Sequence, residues 1–108
     1  MIIKWIRIKS IASVITGKNI ELLLSTILDN NVISAVVYPE KTTKDTIYTI
    51  VLNGERIKSL SDVIKAICHE MVHIVYPKIK HGKQFDEHWN NFISYFTPLY
   101  ETKENING

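Results

Sequence analysis

The stretch Val63-Ile64-Lys65-Ala66-Ile67-Cys68-His69-Glu70-Met71-Val72-His73-Ile74-Val75-Tyr76 decides how the rest of the chain is read. It is strongly apolar, and it carries one H-E-x-x-H spacing, His69-Glu70-Met71-Val72-His73. Ser59, Ser61 or Asp62 can start a helix, because their side-chain oxygens accept from the free N–H groups of a first turn. Pro77 stops it near Tyr76, since proline disfavours helical geometry in the residue before it. The run between these signals has about the length of an ordinary globular helix. On such a helix, residues four apart lie on one face, one turn above the other. Two imidazoles so placed can share one tetrahedral Zn²⁺ at about 2.0–2.1 Å each. Glu70 follows the first histidine, so its carboxylate reaches water beside the ion rather than the ion itself. That is the layout of metal-assisted hydrolysis with a glutamate as general base. The competing reading is a buried helix whose histidines are merely hydrogen-bonded. Against it, a glutamate between two histidines on an apolar helix is costly to bury without a charge partner, and a metal ion supplies one.

Two histidines leave a catalytic zinc site short of its usual three protein ligands. Downstream, His81, Glu87, His88 and Glu101 are the candidates. His81 is favoured: it follows a loop that begins at Pro77, Gly82 permits an unusual dihedral beside it, and Phe85 can anchor the segment. If a helix starts near His81, then Phe85, His88 and Phe92 share a face. His88 is then a group behind the ligands or an alternative ligand, with a half-exposed surface histidine as its plainer reading. Glu87 points about 100° away from His88 and is the weaker alternative. Tyr76, Tyr95 and Tyr100 offer hydroxyls for an oxyanion, although packing is the more ordinary role for each. Cys68 reads as a small core residue.

Working outward, Val32–Tyr38 is rich in β-branched residues and ends at Pro39, which reads as a strand. Residues 46–52 read as a second strand, paired antiparallel with the first across a short polar turn. The edge of strand 46–52 is the expected track for an extended substrate. Residues 1–9 suggest a strand with one wet face, or an irregular arm. From Asn19 the spacing of Ile20, Leu23, Leu24, Ile27 and Leu28 predicts a helix ending at Asp29-Asn30-Asn31. A last helix is expected from about Gly82 to Phe96, stopped at Thr97-Pro98, with residues 99–108 fraying. The sum is one α+β domain over 1–108, a small antiparallel-containing sheet with packed helices.

The chain has 108 residues, enough for one domain, and 45% of them are hydrophobic, as in globular proteins. Its 13 basic and 11 acidic residues leave a net charge of +2, which speaks neither for nor against nucleic acid. Lys78, Lys80 and Lys83 around His81 hint at an acidic partner such as DNA, against the default of a solvated basic surface. The single cysteine excludes an internal disulfide or a cysteine-based zinc ribbon. No membrane span or signal-peptide core is evident, so a soluble, cytoplasmic protein is expected.

With His69-Glu70-Met71-Val72-His73 and His81-Gly82-Lys83-Gln84-Phe85 both in view, the back third of the chain resembles a SprT-like zinc metallopeptidase domain, of the Spartan, Wss1 and SprT type. In that family the H-E-x-x-H is followed by a third histidine in an H-G-x-x-F segment. The resemblance implies a zincin-like fold, His69, His73 and His81 as zinc ligands, Glu70 as catalytic base, and peptide or protein substrates. In size the chain also resembles the minigluzincins, whose third ligand is a glutamate from the following helix; that kinship implies Glu87 in place of His81. Two other readings stay open: a non-catalytic interaction module stapled by zinc, with a fourth protein ligand such as His88 or Glu87, and a latent peptidase with residues 1–9 or 97–108 over its cleft.

Overall fold

The computed structural model describes residues 3–29, 31–39 and 41–102. Helix α1 spans Trp5–Thr16, strands β1, β2 and β3 span Asn19–Ser25, Ser34–Val37 and Ile47–Asn53, and helices α2 and α3 span Leu60–Val75 and Lys83–Glu101. The expected α+β class is what the chain forms. The sheet has the order β1-β3-β2. β2 runs antiparallel to β3, as the short connection between them predicts, and β1 lies parallel to β3 on the other side. The sheet is therefore mixed.

Alternation along the strands fixes which face is covered. Ile20 on β1 and Tyr48, Ile50 and Leu52 on β3 point into the core, two residues apart as strand geometry demands. Against that face lie Ile8, Ile11 and Ala12 of α1 and Val63, Ile67, Met71 and Val72 of α2. α3 adds Phe85, Phe92 and Phe96. α2 is the hub: it packs on α1, α3, β2 and β3. Ser59 caps its start, its hydroxyl accepting from the Asp62 N–H at 3.1 Å, and Tyr76 ends it.

Four expectations need correction. Residues 3–9 form no strand: Ile3 and Lys4 lead into α1, to which the rest belong from Trp5 onward, while Met1 and Ile2 lie outside the described residues. The apparent alternation comes from stopping the reading at Lys9. Carried on to Ile15, the apolar residues Trp5, Ile8, Ile11, Ala12 and Ile15 follow the helical period and face the core. α1 closes at Gly17, whose φ of 68° is left-handed and lets its N–H reach the Ser13 carbonyl.

The helix predicted from Asn19 is instead strand β1. A run such as Leu22-Leu23-Leu24 fits either period, and a seven-residue parallel ladder from Asn19↔Ile47 to Ser25↔Asn53 settles it. Pairing on both sides also makes β3 the central strand. Strand 46–52 therefore has no free edge, and the edges belong to β1 and β2.

The predicted stop at Thr97-Pro98 is overridden as well: α3 continues through Pro98 to Glu101, so residues 99–101 are helical, and residues 103–108 lie outside the described residues. The proline removes one donor, but both sides of it are held. Phe96 is fully buried. The Arg7 guanidinium donates to the Leu99 and Thr102 carbonyls at the helix end, where a cation complements the dipole. The Tyr100 hydroxyl accepts from the Lys4 N–H at 3.2 Å. Among the described residues no helix is long and apolar enough to cross a membrane.

The capping bond of α2 gives a first test. Ser59→Ala is expected to lower the unfolding free energy by about 1 kcal/mol, read from a shift in the urea midpoint at unchanged slope.

Candidate metal centre

α2 sets the first two histidines. Its apolar residues are buried around most of its circumference, and His69 and His73, following exposed Lys65 at four-residue spacing, stay half-exposed on one side. Their Nε2 atoms are 3.3 Å apart. The third histidine comes from the loop. Ile79 N–H bonds to the Tyr76 carbonyl at 3.1 Å, turning the chain back after Pro77. Gly82, at φ 156° and ψ −163°, occupies a region essentially reserved for glycine. It carries the chain from His81 straight into α3, where Asp86 N–H bonds to the Gly82 carbonyl at 2.9 Å. His81 Nε2 thereby comes within 3.0 Å of His73 Nε2.

Phe85 explains why the three rings converge. It is 1% exposed, and its ring centre lies 4.8 Å from those of His69 and His73 and 4.7 Å from that of His81. One buried aromatic thus forms a common floor for all three imidazoles. Trp89, one turn further along α3, stands edge-on to His69 at 4.8 Å and 82°. Its indole N–H donates to the Lys65 carbonyl at 2.9 Å.

Do these residues suit a cation? Metal–nitrogen bonds of about 2.0–2.1 Å in tetrahedral geometry put neighbouring nitrogens about 3.3 to 3.4 Å apart. The two close pairs, at 3.3 and 3.0 Å, are near that edge length, and all three nitrogens lie within 4.8 Å of one another. Protonation works in the same direction. Burial, assisted by the neighbouring His73 and His81, pushes His69 down to about 4 from an ordinary 6.5, although Asp86 opposes it. Burial and His81 lower His73 too. Neutral rings offer lone pairs, which is what a metal ion needs. The residues fit a divalent cation.

Glu70 is 4% exposed, and its neighbour across the gap is the sheet: Ser34 of β2 donates its hydroxyl to Glu70 Oε2 at 2.7 Å. Burial raises the carboxyl's pKa, and the Ser34 bond and His81 pull it part of the way back. Beside Glu70 and His69 opens a cavity of about 480 Å³.

Of the sequence candidates, His69, His73 and His81 are brought together, and among the described residues they are the cluster able to hold a metal. Glu87 is exposed on α3, outside the cluster. His88 is outside it too, stacked on Tyr76 at 3.9 Å and 21°. Glu101 sits at the far end of α3. Of the tyrosines, Tyr95 is exposed and Tyr100 holds the α1 start. Cys68 is buried and pushed up to about 12, an inert core residue as expected. Ser34 and Trp89 were not legible as site residues. Only Trp89 left a signal, through the spacing Phe85, Trp89, Phe92, Phe96, which is the inward stripe of α3. Compared with protein-family models, curated proteins and solved structures, the chain gives no match.

Two outcomes are expected. In a metal-ion titration, His81→Ala weakens binding by more than the roughly 10–100-fold typical of losing a group behind a ligand, while His88→Ala leaves it unchanged. The second concerns pH. The fold favours neutral His69 and His73, so their contribution to metal-free stability is complete above pH 6.5. It is lost as pH falls from 6.5 through their lowered pKa values, about 4 for His69. Glu70 acts oppositely: its contribution is complete below 4.5 and is lost as pH rises through its raised pKa. An NMR titration of the metal-free protein is expected to place the His69 midpoint near 4; a midpoint at or above 6.5 contradicts this environment.

Proposed function

We propose that this chain is a minimal zinc-dependent endopeptidase, as its likeness to SprT-like domains implies. One juxtaposition carries the reading: three imidazole nitrogens converge at 3.0 and 3.3 Å, and the buried carboxylate of Glu70 follows the first of them on the same helix. Bound zinc supplies a Lewis acid for the scissile carbonyl and acidifies a water beside it.

Glu70 takes a proton from the attacking water and passes it to the leaving amine. Its environment suits the task. A carboxylate whose pKa is raised by burial is a stronger base than one in water. Ser34 occupies one of its oxygens and orients it from the sheet. The substrate track expected along strand 46–52 moves to β2, the edge strand that carries Ser34. An extended peptide pairing with that edge adds a fourth strand next to Glu70, using main-chain bonds that do not depend on sequence.

The decisive variant is Glu70→Gln. It is expected to bind zinc as the wild type does and to cleave an unstructured protein substrate at least about 100-fold more slowly, since general acid–base groups contribute about 10²–10⁴-fold. Equal cleavage by both proteins ends this mechanism. Ser34→Ala is expected to slow cleavage about 10-fold or more at unchanged zinc affinity, because a hydrogen bond to a charged group is worth about 1.5–3 kcal/mol.

A further inference from the structure

The sheet has two edges, and they differ in kind. β2 is four residues long and Pro39 follows it closely, so it has room for a short extended peptide and little more. β1 is seven residues long, Asn19-Ile20-Glu21-Leu22-Leu23-Leu24-Ser25, and contains neither the proline nor the lysine that commonly blunts an edge. Leu23 and Leu24 are 54% and 56% exposed. With Leu22, Leu52 and Trp5 they line a groove of about 190 Å³.

The hydrogen bonds show which backbone groups of β1 face outward. The Ser25 carbonyl accepts from the Gly54 N–H, just past β3, at 2.8 Å. Successive strand residues turn their backbone groups to opposite sides, so Asn19, Glu21, Leu23 and Ser25 bond toward β3. Those of Ile20, Leu22 and Leu24 point away from it. The Ile20 N–H is taken, donating to the Ser13 hydroxyl of α1 at 3.4 Å. The outward groups of Leu22 and Leu24 have no partner among the described residues.

We propose that β1 pairs antiparallel with β1 of a second copy of this chain, across a two-fold axis at Leu23. The product is a six-stranded sheet with the helices of both copies on one side. Three constraints set the register. Keeping the helices on one side requires inward residues to face inward ones. Centring the pair on Glu21 sets two carboxylates opposite each other, which is unfavourable. Centring it on Leu22 calls on Ile20, where α1 already holds the edge. Centring it on Leu23 pairs Leu22 with the partner's Leu24 and Leu24 with the partner's Leu22. Every outward group of those two residues then meets its complement. Glu21 faces the partner's Ser25, a hydroxyl donor, and the two exposed Leu23 side chains cover each other. Such a pair closes on itself, because it uses both β1 edges and leaves a β2 strand at each outer end. The inference stands apart from the peptidase reading, since none of these residues belongs to the metal centre.

Sedimentation velocity of the full chain at about 100 µM, where even a weak dimer is populated, tests association. The expected mass is twice the 12.5 kDa of one chain. Leu23→Lys sets two ammonium groups against each other and is expected to halve that mass. Tyr95→Lys, at a similarly exposed position on α3, is expected to leave it doubled. Cysteine pairing reads the register. In a non-hydrogen-bonded antiparallel pair the Cα atoms lie about 4.5 Å apart, within disulfide reach. Leu23→Cys is therefore expected to link two copies under mild oxidation. Glu21→Cys is not, because the two substituted positions lie four residues out of register, about 13 Å apart. Cys68 is fully buried and does not compete. A chain that stays single, a mass that climbs past two copies, a dimer that survives Leu23→Lys, or a link through Glu21→Cys in place of Leu23→Cys overturns the proposal.

Discussion

A carboxylate sits inside the central helix of this molecule, and the surroundings have to make that tolerable. Glu70 is nearly as buried as the Met71 and Val72 that follow it. An ionised group there loses most of its hydration and needs donors or positive charge in return. The fold supplies one donor from the sheet, Ser34, and places three imidazoles around a point where a cation fits. Two segments answer that requirement directly. β2 has to lie against α2 to bring Ser34 across, and the loop after α2 has to double back to bring His81 in.

Rigidity under the site comes from aromatic packing rather than from charge. Phe85 touches all three histidine rings and is itself held by α3, which is pinned at its far end through Arg7, Tyr100 and Phe96. That strapping is also why α3 tolerates Pro98: the missing hydrogen bond lies at the exposed side of a helix whose ends are fixed elsewhere. The result is a ligand set with two rings on α2 and a third, from the loop before α3, packed on the same buried Phe85. Such a set loses little entropy when a metal binds.

The sequence made the centre legible and the periphery much less so. The H-E-x-x-H spacing, the Ser59 cap and the Pro77 stop are local signals, and they place α2 and its two histidines without reference to anything distant. His81 was legible because Gly82 and Phe85 flank it in an interpretable way. β1 was not, because Leu22-Leu23-Leu24 has no single period and its state is decided by partners nearly thirty residues away on β3. The central position of β3 follows from that same long-range pairing, so the free edge was assigned to the wrong strand. α1 was missed for a different reason: its period shows only when the reading continues past Lys9. Ser34 and Trp89 carry no local mark of their roles, since one acts across the sheet–helix gap and the other across α2 and α3.

The central claim is that His69, His73 and His81 together hold one divalent cation and leave room for water or substrate beside it. X-ray absorption at the zinc edge of protein loaded with one equivalent of zinc tests it most directly. The expected spectrum shows three imidazole nitrogens at about 2.0–2.1 Å and one further oxygen. A shell with fewer than three imidazoles, or one closed by a fourth protein ligand, would contradict the account.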